Sequence, residues 1–120
     1  MTIAIAAALS GLAIVAGPAE AVAAVHDGEW TVLVTTEQGK CDRNYSYDVS
    51  VSQGKIHYTS YTSVTLDGTV SPQGAVTVSI RHFDDVAHGS GRLAARTGGG
   101  GWRGTGKDGV CSGQWKAQRH

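Results

Sequence analysis

The sequence predicts an all-β domain: an antiparallel up-and-down barrel or strongly curled sheet of about eight strands, with one disulfide. Three observations lead there. From Trp30 onward the apolar residues recur at every second position, the spacing of a strand with one dry and one wet face. Glycine supplies 17 of the 120 residues and recurs inside these runs, as a sheet that bends sharply requires. The only cysteines, Cys41 and Cys111, follow the first strand and precede the last.

The chain opens with a segment of different composition. Met1 to Val25 holds one ionisable side chain, Glu20, among mostly Ala, Ile, Leu and Val. Its apolar core, Ile3 to Ala16, has the length of a signal-peptide core and falls short of the ~20 residues of a membrane span. Pro18 interrupts a helix there, and the small-residue patterns Ala19-Glu20-Ala21 and Ala21-Val22-Ala23 suit a cleavage site. The usual opening Lys or Arg is missing, which keeps a retained N-terminal anchor as the alternative. Residues 1–23 are read as a signal peptide and residues 24–120 as a single barrel-like domain. The expected location is periplasmic or extracellular, with no stable membrane span after cleavage.

The strands follow in order. Trp30, Val32 and Val34 alternate with polar residues, as do Tyr45, Tyr47, Val49 and Val51. Ile56 with Tyr58, then Val64, Leu66 and Val70, then Val76, Val78 and Ile80 give three more. A sixth is expected from Val86 to Ala95, with Ala87, Gly89, Gly91 and Leu93 on one face. The seventh, Gly100 to Thr105, carries Trp102, and the eighth, Ser112 to Gln118, carries Trp115. Gln53-Gly54, Ser71-Pro72-Gln73-Gly74, Asp84-Asp85 and Lys107-Asp108-Gly109 are turn chemistry, so neighbouring strands are joined by hairpins.

Cys41 falls between strands one and two, and Cys111 between seven and eight. An isolated pair in an exported chain is most simply a disulfide, and closing about 70 residues would destabilise the unfolded chain by on the order of 4 kcal/mol. A flat meander at ~4.8 Å per strand would keep the two beyond bonding reach. A barrel brings them together on one rim, and a sandwich is the other way to do so. Metal or dithiol chemistry would need C-x-x-C spacing or more soft ligands.

Charge excludes one large class. Ten Lys and Arg balance ten Asp and Glu, and no two Lys or Arg are adjacent, so there is no footprint for nucleic acid. Removal of the first 23 residues takes away Glu20 alone and leaves a net of +1.

The strings Asp27-Gly28-x-Trp30, Cys41-Asp42-Arg43-x-Tyr45, Ser71-Pro72-x-Gly74 and Cys111-Ser112-Gly113-x-Trp115 resemble a group of short exported alphaproteobacterial proteins with no assigned activity. The resemblance spans nearly the whole mature chain. It implies export and a disulfide and brings no catalytic residues. A looser, architectural likeness is to small periplasmic β-barrel protease inhibitors and lipocalin-like carriers, which also place G-x-W on the first strand. Such a likeness does not give function.

Candidate sites are few. Gly101 to Lys107 matches a phosphate-binding G-x-x-x-x-G-K, but Asp108 stands where Ser or Thr should hold magnesium, and a strand follows instead of a helix. His82, Asp84, Asp85 and His88 surround one hairpin and are metal-ligand types, against the plainer reading of a solvated turn. The meander places Lys40, Asp42, Arg43, Asn44, Tyr61, His82, Asp84, Asp85, His88, Lys107 and Asp108 at the disulfide rim. That makes it the candidate partner-binding end. Inside, Trp102 and Trp115 stand beside Gly89, Gly91, Gly100 and Gly113; either the indoles fill that space, the favoured outcome, or a pocket remains. His57 alternates onto the outer face.

No nucleophile, base or carboxylate pair forms a catalytic arrangement. The sequence therefore predicts a small, monomeric, non-enzymatic binding module without a cofactor. Its expected partner is a protein or envelope component, bound through the rim, including as an inhibitor. The alternatives are a carrier of a small apolar ligand in the barrel and a metal-dependent site at the His82 to His88 hairpin.

Overall fold

The computed structural model of the chain describes residues 24–58 and 63–120. The signal-peptide expectation for residues 1–23 lies outside the described residues, as does Tyr61. A short 3-10 helix, Ala24–His26, leads into β1 (Gly28–Gln38), β2 (Asn44–Ser52), β3 (Lys55–His57) and β4 (Val64–Val70). There follow β5 (Ala75–His82), β6 (Asp85–Leu93), β7 (Thr97–Gly106) and β8 (Gly109–Arg119). Each strand pairs antiparallel with the next, and β1 pairs with β8, so the eight form a closed barrel. Closure gives the first and last strands a partner on both sides.

Register carries the alternation into the interior. Val32 faces Tyr47, Val51 faces Ile56, Leu66 faces Ile80 and Ile80 faces Ala87, so one apolar face lines the barrel all round. Three expectations need correction. Cys111 lies within β8, because the β7–β8 ladder runs out to Gly106↔Gly109 and leaves only Lys107-Asp108 as the turn. The β5–β6 turn is Phe83-Asp84, since Asp85 already pairs with His82. The third strand ends at His57, and among the described residues its ladder to β4 holds Lys55↔Thr69 and Ile56↔Gly68.

The buried apolar cluster is unevenly placed: Trp30, Val51, Val70, Val76, Leu93 and Ala117 sit toward the end that holds the Gln53-Gly54 and Ser71 to Gly74 turns, while Thr36 and Cys111 are buried under the loop at the other end. The end with the cluster is sealed. Trp30, 1% exposed, donates its indole N–H to the His26 carbonyl at 3.0 Å, which draws the 3-10 helix across the base. Arg119 donates to the carbonyls of Val25, Asp27 and Ala95 and lies over the Trp30 ring, so one side chain joins the entry segment, the β6–β7 turn and β8. His26 is buried in this plug, and its Nδ1 has no hydrogen-bond partner among the described residues.

The opposite end carries the disulfide. A register shift between Thr36 and Gln38 bends β1, and buried Thr36 donates its hydroxyl to the Asp42 carbonyl at 2.6 Å while its N–H reaches the Arg43 carbonyl at 2.9 Å. These bonds fold the β1–β2 loop back over β8. Cys41 and Cys111 are joined there across a Cα separation of 6.2 Å. Gly39 permits the approach: its φ is +100°, and a Cβ would stand 2.7 Å from the Cys111 sulfur and 2.4 Å from the Val110 carbonyl oxygen.

Candidate functional site

The two tryptophans of β7 and β8 lie against the barrel wall. A Cβ on Gly91 would meet the Trp115 ring at 2.6 Å, and one on Gly100 would meet its indole nitrogen at 2.8 Å, so this ring spans both glycines. Its N–H donates to the Ser90 carbonyl at 3.1 Å. Trp102 pairs with Gly113 and donates past it to the Thr35 carbonyl of β1 at 3.1 Å. Glycine thus makes one side of the barrel smooth enough for indoles to be held to it by their own hydrogen bonds.

Because the rings hug the wall, the middle of the barrel stays open. A cavity of about 590 Å³ runs from a floor of Trp30, Val76, Leu93, Trp115 and Ala117 to the disulfide rim. Its walls include Val32, Val34, Tyr47, Val49, Ile56, Leu66, Val78, Ile80, Ala87 and Trp102. This overturns the favoured expectation of a filled core: the apolar cluster closes the base and leaves the middle of the barrel open. The molecule is a cup. Its volume lies within the range of ~300–1,000 Å³ found for small-molecule sites.

The mouth carries the polar groups. Tyr45 accepts the Asp42 N–H at 3.2 Å, and Tyr45, Tyr47 and Tyr58 form a chain of rings: the first two stacked at 6.5 Å, the last two edge-to-face at 5.4 Å. Burial, and then the neighbouring Tyr58 and Tyr45, raise the Tyr47 phenol above its ordinary 10.0, so it is an uncharged O–H at neutral pH. Across the mouth, His82 and Asp85 form a register pair that lines the cavity together with Asp108. A Cβ on Gly106 would fall 1.8 Å from the Asp85 carboxylate, so that carboxylate lies over bare backbone.

The expected rim is partly assembled. Arg43 is in the β1–β2 loop, where its guanidinium donates to the Thr36 carbonyl at 3.3 Å. Asn44 opens β2 opposite Thr35, while Asp84 and Lys107 are in their hairpin turns. His88 does not join them. It pairs with Ser79 in the middle of the β5–β6 ladder, on the outer face, with its Nδ1 2.8 Å from the Ser79 hydroxyl. His82 and His88 therefore face opposite sides of the wall. No group of three His, Cys, Asp or Glu side chains among the described residues is placed to hold a metal ion. His57 is exposed on the outer face, as its alternation requires.

Three features escaped the sequence reading. Arg119 was not singled out, the 3-10 helix lies just past the segment read as a signal peptide, and the cavity turned on where two indoles came to rest. The D-G-x-W string, Asp27 to Trp30, was the one available signal for a sealed base.

Fold and cavity together define a class: a closed eight-stranded antiparallel cup with an apolar interior and one polar rim. No family model, no curated protein and no solved structure matches the chain.

Proposed function

We propose that the protein binds a small, mainly apolar molecule in this cup and has no catalytic role. The observation that carries the reading is the cavity of about 590 Å³, sealed at one end and bounded by Val, Ile, Leu and aromatic side chains. Water in such a space finds few polar partners, so an apolar occupant gains most from replacing it. The disulfide supports a setting in an oxidising compartment, the periplasm or the exterior of the cell.

The test is titration with N-phenylnaphthylamine, an uncharged fluorescent probe. Saturable one-to-one binding with quenching of Trp fluorescence is expected, and Ala87→Phe, which fills the cavity from the wall, should weaken it at least about tenfold. Absence of saturable binding, or equal binding by the filled variant, would overturn the reading.

One observation favours a second reading, a protein or envelope partner docked at the same rim. Phe83 is 74% exposed at the tip of the β5–β6 turn. A partner bound through this tip would be lost with Phe83→Asp and kept with Ala87→Phe.

A further inference from the structure

The cup has a charge pattern that selects among apolar molecules. We propose that its ligand carries a positively charged amine on the apolar body, with the ammonium at the mouth between the Asp85 and Asp108 carboxylates and the tyrosine rings. The inference rests on the binding role proposed above and names the chemistry of the bound molecule.

Among the described residues, the Asp, Glu, Lys and Arg residues that line the cavity are of one sign, Asp85 and Asp108. Two histidines line it as well, His82 as the register partner of Asp85 and His88 with its ring turned outward to Ser79. Lys40, Arg43 and Lys107 belong to the same rim but do not line the cavity, and Arg43 is committed to the Thr36 carbonyl. The four residues of the β3–β4 connection outside the described structure, Thr59, Ser60, Tyr61 and Thr62, bring no basic group. A carboxylate or phosphate carried into this mouth would meet two carboxylates with no Lys or Arg among the described lining residues to offset them. An ammonium would meet the reverse.

Placement sharpens this. Asp85 opens β6 and projects over Gly106, at a position that a side chain on β7 would block. Tyr45 and Tyr47 on β2, and Tyr58 just past β3, lie on the far side of an eight-stranded ring from β6 and β7. An ammonium at the mouth therefore has carboxylates on one side and a cluster of aromatic rings on the other, two kinds of partner that favour a cation over an anion. The apolar body points down toward Trp30 and Trp115.

Calorimetric titration of the mature, disulfide-bonded protein at neutral pH with naphthylmethylamine, naphthylmethanol and naphthoate tests this. The three share one apolar body and differ in charge. The amine is expected to bind about tenfold tighter than the alcohol, with naphthoate weakest. Asp85→Asn combined with Asp108→Asn should reduce the amine's advantage to about threefold or less, with circular dichroism confirming the fold. Naphthoate binding as tightly as the amine, or an advantage that survives the double substitution, would overturn the inference and leave the cup's binding role standing. Failure of all three ligands to bind would remove the binding role itself.

Discussion

Arg119 lies over the indole of Trp30, its guanidinium carbon 5.6 Å from the ring centroid, and donates from that position to three backbone carbonyls at the closed end of the barrel. The base of the cup is thus held by charge-assisted hydrogen bonds as well as by apolar packing. Arg119→Ala is expected to lower the unfolding free energy by about 2 kcal/mol, read from the urea midpoint. Arg119→Lys should recover less than half of that, because an ammonium cannot spread over the ring and reach separate carbonyls as a planar fork does. A loss under about 0.5 kcal/mol for the alanine variant would mean that packing alone holds the base.

Glycines of β7 separate by the direction in which they face. At Gly100 a Cβ would stand 2.0 Å from the Ser90 carbonyl oxygen and 2.8 Å from the Trp115 nitrogen, so Gly100→Ala pushes apart the pair that forms the indole's hydrogen bond. A loss of about 3 kcal/mol is expected. Gly101, next in the chain, has only the Gly113 carbonyl oxygen within reach, at 3.6 Å, and Gly101→Ala should change stability by less than about 1 kcal/mol. Urea denaturation of the two variants side by side decides whether the wall must be bare for the indole.

Phe83 has a φ of +56°, in the left-handed region that a bulky side chain rarely adopts, and its ring is largely in solvent. The residue contributes little to the fold beyond its contact with His82, the ring centroids 4.6 Å apart. Phe83→Gly should therefore raise the unfolding free energy by about 1 kcal/mol. A thermal midpoint below that of the parent would show that the His82 contact outweighs the backbone strain.

Tyr47 makes stability depend on pH at the alkaline end. Its folded-state pKa lies above the ordinary 10.0, chiefly through burial, so in that interval the unfolded chain gives up a proton that the folded chain keeps. The associated stability is complete below about pH 10 and is lost as the pH rises through the higher folded value. Urea midpoints followed from about pH 8 to about pH 11 should fall more steeply for the parent than for Tyr47→Phe. Parallel curves would place the alkaline sensitivity elsewhere.

Much of this architecture was legible because period-two alternation reports a face, and eight such faces in a row leave few ways to bury them. The Cys41 and Cys111 positions told a curled sheet from a flat one. The cavity was not legible for a physical reason: Trp102 and Trp115 among glycines are compatible with rings that fill the centre or rings that lie on the wall. The choice depends on carbonyls that only the folded chain brings near, those of Thr35 and Ser90. The one-residue shift at Phe83-Asp84 was hidden because Asp-Asp is good turn chemistry, whereas the register of β5 with β6 imposes a less favourable residue on the turn. His88 was assigned to the rim by its nearness in sequence to His82, and the alternation that built the strand is what turned it outward.

A ring of strands yields first where its ladder is shortest. Among the described residues the pairing between β3 and β4 consists of Lys55↔Thr69 and Ile56↔Gly68, against an unbroken ladder from Thr97↔Gln118 to Gly106↔Gly109 between β7 and β8. Local opening is expected first at that seam, so backbone amides of β3 should exchange with solvent deuterium well before those of β7 and β8. Each such event briefly turns the closed barrel into a sheet with two edges. The same parting of strands gives a bulky guest a sideways entrance and, at high concentration, gives two copies of the chain a place to exchange strands.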